Sequence, residues 1–481
     1  MTLWSTPLAL LREELVQRRD EGVEIPGSLR SRIDSLDPVA DAWNEAVVWA
    51  LYDELAALPA EEALAAREPD DLGAIRRLRP PGPRDLRWKP GGDELVDRLH
   101  GALTGRATGC ALGKPVEFLG FGVVDGHLTG RGDIKRHLLA RGDWPLRDYF
   151  SSADADDGIL LRCPQSMREG IAFMEADDDI HYTLAGLAIV EEHGPEFTWE
   201  HVAQWWAEHI PVSDICTAEL QAFNNWTSRT ARAWFAPGPR SVATPEFCRT
   251  HRNPYREWIG AQIRADGWAW VCAGKPELAA EFAYRDACWT HTRNGIYGEM
   301  FFAAIQAAAF VEHDARTLVD IGLSEIPADC RLARAVRSTL EICARAHDWE
   351  SAMGEIESAT NAMSPPVMNA IHTINNAALC VMALVFGRMD SVDAVTTAVM
   401  GGLDTDCNGA TVGSIVGAAS GRTALRGDLA GRLNDTIRPN LIGFPEVSMR
   451  EIAERAAIQW HRVDDYARRA AAATSGAPGH D

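Results

Sequence analysis

The chain has 481 residues, 46% of them hydrophobic and 24% charged, a composition typical of a globular protein with a large buried core. Its formal net charge of −22 argues against nucleic acid as the main partner, because contacts to phosphates require a basic face. No run of about 18 apolar residues is present, and charged residues occur too early for a secretory signal. The cysteines form no C-x-x-C pair, so we expect a cytoplasmic protein with free thiols and no membrane contact.

Residues 1–95 form a leading segment with helical patterns over residues 8–19 and 40–58. Residues 68–92 are rich in Pro, Arg, Asp and Gly, which predicts a loop or linker. We expect this segment to be an N-terminal, mainly helical extension that caps the following domain or contacts another copy. The domain itself is predicted at residues 96–470, followed by a flexible tail over residues 471–481, where the sequence is small and polar.

The domain begins with a helical pattern over residues 95–112, and glycine recurs along it at every fourth position. Four glycines therefore share one face: Gly101, Gly105, Gly109 and Gly113. Each costs about 1 kcal/mol of helix propensity relative to alanine, so the stripe indicates that another backbone approaches this face closely. Glu117 follows the end of this helix, where its carboxylate is either a base or a partner for a substrate hydroxyl, or an ordinary surface group.

An acidic triplet, Asp177-Asp178-Asp179, precedes a helical pattern over residues 182–192. Like charges this close repel unless a cation or a helix N-terminus neutralises them, so the triplet indicates either a metal site or an N-cap followed by first-turn acids. The chain beyond it is mostly helical, with patterns over residues 297–312, 329–346, 375–386 and 392–400. Strand-like alternation is rare, and its best example is Val123-Val124 before Asp125-Gly126.

A second acidic turn lies within the stretch GGLDTDCNG, residues 401–409. Asp404 and Asp406 are two residues apart and can direct two oxygen ligands at one hard cation. The helical pattern that follows again has glycine at every fourth position: Gly409, Gly413, Gly417 and Gly421. We predict that this helix packs closely on the 95–112 helix, although two separate helices that each need small residues would show the same pattern.

Five carboxylates on two turns suit a pair of Mg²⁺-like ions, which prefer carboxylate and water as ligands. Mn²⁺ or Ca²⁺ are the alternative cofactors. Cys407, beside the second pair, offers sulfur, which is a poor ligand for such ions. A purely structural helical protein would leave two matching acidic turns without an explanation.

Four stretches carry a family resemblance: GALTGRATGCALGKPVEF (101–118), DDDIHYTLAGL (177–187), HTRNGIYGEM (291–300) and GGLDTDCNGATVGSIVGA (401–418). Together they resemble the ADP-ribosylglycohydrolase family, which includes dinitrogenase-reductase-activating glycohydrolases and the ADP-ribosylarginine and ADP-ribosylserine hydrolases. The resemblance spans about residues 95–460. It implies a compact, all-α, multi-helix fold around a binuclear Mg²⁺ centre at the base of a cleft, and cleavage of the glycosidic bond at C1″ of ADP-ribose attached to a protein side chain or small acceptor.

Matched position by position, the resemblance also implies the residues of the site. It implies a catalytic glutamate at Glu117. Its implied metal ligands are Asp177, Asp178, Asp179, Asp404, Asp406 and, doubtfully, Cys407. Its implied substrate contacts, near the phosphates and along the ribose cleft, are Gly260, Gln262, Arg264, His291, Asn294, Gly295, Tyr297 and Asn408.

Three positions depart from the family pattern. Asp177 stands where Thr or Ser is usual, Cys407 where Thr is usual, and Cys110 where Asp is common. The first change adds a charge and the second replaces a hard oxygen with sulfur, so the number of bound metal ions stays open. Two other functions also stay open: a non-catalytic protein that binds ADP-ribose or a nucleotide, and a glycosidase for another ribosylated small molecule.

Overall fold

The computed structural model describes residues 3–124, 127–153, 158–231, 240–363 and 370–475. Over these ranges the protein is almost entirely helical, which confirms the all-α prediction. Its strands pair into three short antiparallel ribbons: β1 (Val123–Val124) with β2 (His127–Leu128), β3 (Thr230–Ala231) with β4 (Arg240–Ser241), and β5 (Thr436–Ile437) with β6 (Val447–Ser448). The first ribbon contains the predicted Val123-Val124 strand, whereas Asp125 and Gly126 lie outside the described residues.

The described residues form 23 α-helices. Five lie in the leading segment: α1 (Pro7–Asp20), α2 (Gly27–Asp34), α3 (Glu45–Ala56), α4 (Glu62–Arg67) and α5 (Leu72–Leu78). Eight follow: α6 (Gly92–Gly113), α7 (Glu117–Gly120), α8 (Gly130–Arg141), α9 (Asp178–His193), α10 (Trp199–His209), α11 (Thr217–Ser228), α12 (Pro245–Thr250) and α13 (Ala265–Val271). The last ten are α14 (Pro276–Ala287), α15 (Arg293–Ala309), α16 (Ala315–Leu323), α17 (Arg331–Arg345), α18 (Trp349–Asn361), α19 (Thr373–Phe386), α20 (Asp393–Met400), α21 (Thr405–Ser420), α22 (Gly427–Ala430) and α23 (Met449–Ser475).

Helices α6 and α21 run antiparallel and touch along their glycine faces. Three glycines of α6 lie opposite three of α21: Gly101 with Gly417, Gly105 with Gly413, and Gly109 with Gly409. A Cβ atom added at any of the six would overlap the carbonyl oxygen of the partner glycine. Because the obstacle is backbone and cannot rotate away, each position requires glycine. The predicted close packing of the two helices is therefore confirmed.

This pairing brings distant parts of the sequence together at one point. The C-terminal end of α6 lies beside the N-terminal end of α21, where the Thr405 hydroxyl donates a hydrogen bond of 2.8 Å to the Gly113 carbonyl. Glu117, four residues beyond Gly113, consequently lies beside the acidic turn that precedes α21. Helix α9 joins the same point, because Arg106 of α6 binds the Asp179 side chain at 2.8 Å.

Helix α15 lies at the centre of the domain. Every residue from Asn294 to Ala309 is buried. The sequence pattern over residues 297–312 predicted one apolar face, but a helix that is surrounded by other helices buries all of its faces. Small residues and Phe301 and Phe302 provide most of this packing, and the polar Glu299 and Gln306 are buried with them.

The leading segment packs on the domain through a small apolar cluster and a set of buried ion pairs. Leucines of α1 and α3 contact Tyr255 and Trp258 of the domain. Next to them, Arg256 binds Glu14 and Glu21, at 2.7 and 2.8 Å, and Arg331 binds Glu68 and Glu257, both at 2.8 Å. We call these two arginines and four glutamates the N-terminal interface. Three of the glutamates belong to the leading segment, and Glu257 and both arginines belong to the domain.

Two segments differ from their predicted conformation. Residues 68–92 were expected to be a loop or linker, but they contain α5, whose first free N–H groups are capped by Asp71 through a 2.8 Å bond from the amide of Ala74. Helix α23 continues to Ser475, five residues into the predicted flexible tail, because the alanine run from Ala470 to Ala473 favours helix. Residues 476–481 lie outside the described part of the chain.

None of the described helices is both long and apolar enough to cross a membrane.

Candidate active site

A cleft of about 680 Å³ opens where α6, α9 and α21 meet. This volume lies within the range of about 300–1,000 Å³ that small-molecule sites usually have. Four of the predicted catalytic and metal residues line it: Glu117, Asp177, Asp178 and Asp406. The rest of the wall includes Phe173, His181, Asp214, Cys216, Arg438 and Asn440.

The first acidic turn forms the N-terminus of α9. Asp177 is its N-cap, and its side chain accepts a hydrogen bond of 3.0 Å from the amide of Asp179. Asp178 faces the cleft, whereas Asp179 is fully buried behind it. One oxygen of Asp179 binds Arg106, and the other, Oδ2, has no hydrogen-bond partner among the described residues. The triplet is thus an N-cap with first-turn acids and also one wall of the cleft.

The second acidic turn precedes α21 and has an unusual backbone. Gly402 and Leu403 both have positive φ, 78° and 59°, a conformation that a leucine seldom adopts. The amide oxygen of Asn376 holds the turn by accepting hydrogen bonds from the Asp404 amide at 3.2 Å and from the Asn408 side chain at 2.7 Å. Backbone strain of this kind is concentrated at functional sites, where surrounding contacts enforce it.

The two turns and Glu117 bring their ligand atoms close together. One group consists of Glu117, Asp404 and Asp406, and its oxygens all lie within 4.8 Å of one another. Two more groups of the same compactness share its residues or neighbours: Asp179 with Asp406 and Cys407, and Cys110 with Asp177 and Asp179. Five of the six predicted metal ligands therefore belong to these compact groups, and Asp178 belongs to none of them.

Three buried carboxylate oxygens in this cluster have no hydrogen-bond partner among the described residues: Asp179 Oδ2, Asp404 Oδ1 and Asp406 Oδ1. A buried polar atom without a partner carries a desolvation cost of about 1–3 kcal/mol, and more when it is charged. Hard divalent cations prefer carboxylate oxygens, so these residues fit a Mg²⁺-like ion. Cys407 fits less well, because burial and then Asp179 raise the pKa of its thiol, and a protonated thiol is a poor ligand.

The protonation of the cluster reflects burial and mutual repulsion. Burial, followed by the charge of Asp177, raises the pKa of Asp406 to about 6. Burial and then Asp406 raise the pKa values of Asp404 and Glu117 well above their ordinary values. Such shifts mark carboxylates that lack enough positive charge nearby, and a bound cation would remove the cause.

Lys114, which directly follows α6, is a residue of the acidic cluster that the sequence analysis did not identify. Its Nζ lies 3.0 Å from Asp177 Oδ2. Burial alone would raise the pKa of Asp177, but the Lys114 ammonium overrides this effect and holds that pKa below its usual value. The extra acid at position 177 was a signal in the sequence that a base lies nearby, but the sequence does not identify which base it is.

The predicted substrate contacts do not lie in the cleft wall. Arg264 is buried behind it, with Asp286 at 2.7 Å and Glu219 as a second partner, and Gly260 packs on that Glu219 carboxylate. The Asn294 amide donates to Glu68 and Glu257, at 2.8 and 2.9 Å. The remaining members of this set are likewise buried among protein groups: Gln262, His291, Gly295, Tyr297 and Asn408.

Physical chemistry explains why the sequence alone could not decide whether these residues line the cleft or lie behind it. A histidine or an asparagine beside a helix start can either face a ligand or satisfy buried backbone and carboxylate groups, and sequence spacing is the same in both cases. The Tyr297 hydroxyl, for example, donates to the carbonyl of Pro69 in the leading segment. The structure gives Arg264, Asn294 and Tyr297 partners within the protein. The buried Gln262 side chain and His291 Nε2 have no hydrogen-bond partner among the described residues. Phe173, His181, Arg438 and Asn440 occupy the cleft wall instead.

Sequence and structure comparisons give the following matches. The model of the ADP-ribosylglycohydrolase family matches residues 92–465. A solved structure described as "ADP-ribosylglycohydrolase-related protein complex" is similar over 77% of this chain and 99% of its own, with 18% sequence identity and a TM-score of 0.45. No curated protein sequence matches the chain.

Proposed function

Because the chain belongs to the ADP-ribosylglycohydrolase family, we propose that it is a divalent-metal-dependent hydrolase that cleaves the glycosidic bond at C1″ of an ADP-ribosyl or related ribosyl group. The acceptor released is a protein side chain or a small molecule. The observation that carries the proposal is a cluster of three buried carboxylate oxygens at and behind the cleft wall that have no hydrogen-bond partner among the described residues, on Asp179, Asp404 and Asp406. Mg²⁺ is the cation we favour, since all three are hard oxygen donors.

In this proposal, Asp404 and Asp406 from the α21 turn, Asp179 from α9 and Glu117 hold the metal. A bound divalent cation would supply Lewis acidity and a point of attachment for ribose hydroxyls. The acids also act directly, because glycosidic cleavage passes through an oxocarbenium-like state that carries positive charge at the sugar. A cleft lined by carboxylates stabilises that charge more strongly in the transition state than in the neutral ground state.

Glu117 is suited to carry the proton of the reaction. Its side chain lines the cleft and is only partly exposed. In the metal-free chain, burial and then Asp406 raise the pKa of the Glu117 carboxyl. A carboxylate at this position on the cleft wall is the type of group that serves as a general base. In its ionised form it takes a proton from the water that attacks C1″. The bond from C1″ to the acceptor atom breaks, its electron pair leaves with the acceptor, and the proton then passes from Glu117 to that acceptor.

The cleft wall supports a nucleotide-like ligand. Arg438 lies over the ring of Phe173, with the guanidinium carbon 3.8 Å from the ring centroid, so a cation and an aromatic face stand together at the mouth. His181 Nε2 accepts a hydrogen bond of 2.9 Å from the amide of Asn440, which fixes the stretch of wall from Arg438 to Asn440 against α9. These groups offer contacts to a phosphate and to a planar base.

The decisive experiment combines a substrate screen with one substitution. Purified chain is assayed on ADP-ribosylated arginine, ADP-ribosylated serine, ADP-ribosylated nucleic-acid ends and small ribosylated nucleosides, with Mg²⁺ and with a chelator. We expect turnover of at least one of these with Mg²⁺ and none in chelator. Asp406→Ala should abolish both turnover and Mg²⁺ dependence, because it removes an oxygen that two of the compact ligand groups share.

Asp393→Ala is the matched control, since Asp393 lies on neighbouring α20, is half exposed and pairs with Arg147 on the surface. Its loss should leave turnover unchanged. Full activity of Asp406→Ala in the presence of chelator would rule out the metal mechanism. Tight binding of ADP-ribose by wild-type chain, with hydrolysis of none of the substrates, would indicate a binding protein instead.

A further inference from the structure

The two ends of the acidic cluster differ in what already neutralises them. Asp177 is fully provided with partners: the Lys114 ammonium at 3.0 Å and the amide of Asp179, also at 3.0 Å. At the other end, Asp404 and Asp406 each have a buried oxygen without a partner among the described residues. Asp179, which belongs to compact ligand groups at both ends, also has one oxygen without a partner among the described residues. The cluster is therefore asymmetric, because Asp177 alone already has a cation beside it.

Lys114 is held firmly in this position. Its side chain is largely buried, with 14% exposed, and the Asp177 side chain has 5% exposed. The Nζ atom also donates to the carbonyl of Ala176, the residue before the acidic triplet. The ammonium therefore has two acceptors on one turn, which fix it against the start of α9. The ion pair is largely buried and is not a surface contact.

The ligand set at the Lys114 end is also chemically unsuitable for a hard ion. It consists of Cys110, Asp177 and Asp179. Sulfur is a soft donor that Mg²⁺ and similar cations avoid. Of the two carboxylates, Asp177 binds Lys114, and one Asp179 oxygen binds Arg106. Asp178, the third acid of this turn, faces the cleft but belongs to none of the compact ligand groups found among the described residues. A second divalent ion bound by Cys110, Asp177 and Asp179 would have to displace an ammonium group and use a thiol.

From this asymmetry we propose that the centre binds one divalent cation, held by Asp179, Asp404, Asp406 and Glu117, and that the Lys114 ammonium replaces a second ion as the positive charge opposite Asp177. The inference rests on the proposed function, because it assumes that the cluster binds metal. It departs from the two-ion expectation that the family resemblance raised. Lys114 is, in this account, a positioning residue that sets the number of ions and orients the first acidic turn.

Counting bound Mn²⁺ tests the proposal without reference to activity. Full-length chain is stripped with a chelator, titrated with Mn²⁺, and measured by calorimetry and electron paramagnetic resonance. We expect one Mn²⁺ per chain and the spectrum of an isolated ion. In Lys114→Met, which frees Asp177 at nearly constant side-chain volume, we expect two Mn²⁺ per chain and a spin-coupled signal from neighbouring ions.

Lys135→Met is the matched control, because Lys135 is partly exposed and pairs with Glu350 on the surface. It should bind one Mn²⁺, as the wild type does. Two coupled ions in the wild-type chain would overturn the proposal, and this measurement decides the matter even if Lys114→Met fails to fold. A count of one in a folded Lys114→Met chain would show that Lys114 does not determine the number of bound ions. No bound Mn²⁺ in the wild type would contradict the proposed metal-dependent function itself, which is a distinguishable result.

Discussion

The N-terminal interface and the cleft both bury several carboxylates, yet they treat them in opposite ways. At the N-terminal interface four glutamates meet two arginines, and Glu257 has a lowered pKa because Arg331 overrides the effect of its burial. In the cleft, burial and mutual repulsion raise the pKa values of Asp404 and Asp406. Buried acids that are matched by bases hold segments together, whereas buried acids without them mark the place for a cation.

Two basic side chains, Arg106 and Lys114, contact the acidic cluster, and they differ in what they neutralise. Arg106 is fully buried and shared between Asp179 and Asp266, at 2.8 and 2.7 Å, so it supports the framework of α6, α9 and α13. Lys114 pairs with Asp177 at 3.0 Å, and its charge also lowers the pKa values of Glu117 and Asp406 against the larger effect of their burial. The leading segment supplies Glu14, Glu21 and Glu68, which neutralise two buried arginines of the domain. We propose, on this ground, that residues 1–95 fold as one unit with residues 96–470.

Removing a base from the N-terminal interface should have the largest effect on stability. Arg331→Met leaves Glu68 and Glu257 buried without their cation, and breaking a buried pair in this way costs about 3–5 kcal/mol. Urea unfolding, followed by circular dichroism, measures the loss. The control is Arg345→Met, whose partner Glu355 is exposed and whose removal should cost at most about 1 kcal/mol. Equal losses in the two variants would erase the distinction between interface and surface pairs.

Divalent metal should stabilise the cleft and leave the N-terminal interface unaffected. A ligand present at 100 times its dissociation constant stabilises the folded state by about 2.7 kcal/mol. Thermal unfolding of metal-free chain should therefore shift upward when Mg²⁺ is added, and the shift should vanish in Asp404→Asn. In a partly destabilised interface variant, Arg256→Lys, the Mg²⁺-induced shift should persist. A shift that survives in Asp404→Asn would place the ion elsewhere.

The pH dependence of stability should have opposite signs in the two regions. In metal-free chain the folded state keeps the Asp406 proton up to about pH 6, whereas the unfolded state loses it near 3.8. The free energy of unfolding therefore falls as pH rises through this window, by about 1.4 kcal/mol for each unit of pKa shift. The lowered pKa of Glu257 acts in the reverse sense, since its contribution is present above its unfolded pKa and is lost as pH falls through the folded value.

Comparing wild type with Asp406→Asn isolates the cleft contribution. The variant lacks the titrating group, so metal-free Asp406→Asn should gain stability relative to wild type as pH rises from about 4 to 6, and the difference should stay constant above that range. Chemical unfolding at a series of pH values measures it. A difference that does not change with pH would show that Asp406 is not destabilised by ionisation in the metal-free chain.

The sequence predicted the helical fold and the two acidic turns well, because both leave local signals. Glycine at every fourth position identified the faces of α6 and α21, and close backbone contact is the physical reason for such a stripe. Helix α5 and the end of α23 were missed because composition obscured their propensity: residues 68–92 are rich in Pro and Gly, and the alanines near the end were grouped with a polar tail.

The amino-acid sequence by itself determined which residues could bind a hard cation, since oxygen chemistry and D-x-D spacing are properties of the residues. Tertiary structure alone decided which of them keep an unsatisfied charge. Lys114 and Asp177 are 63 positions apart, and Arg264, Asn294 and Tyr297 resemble ligand contacts until their partners Asp286, Glu68 and Pro69 are seen. Charge balance is a sum over neighbours in space, and the neighbours of the stretch from Gly401 to Gly421 come from α6, α9 and α19, which are distant in the chain.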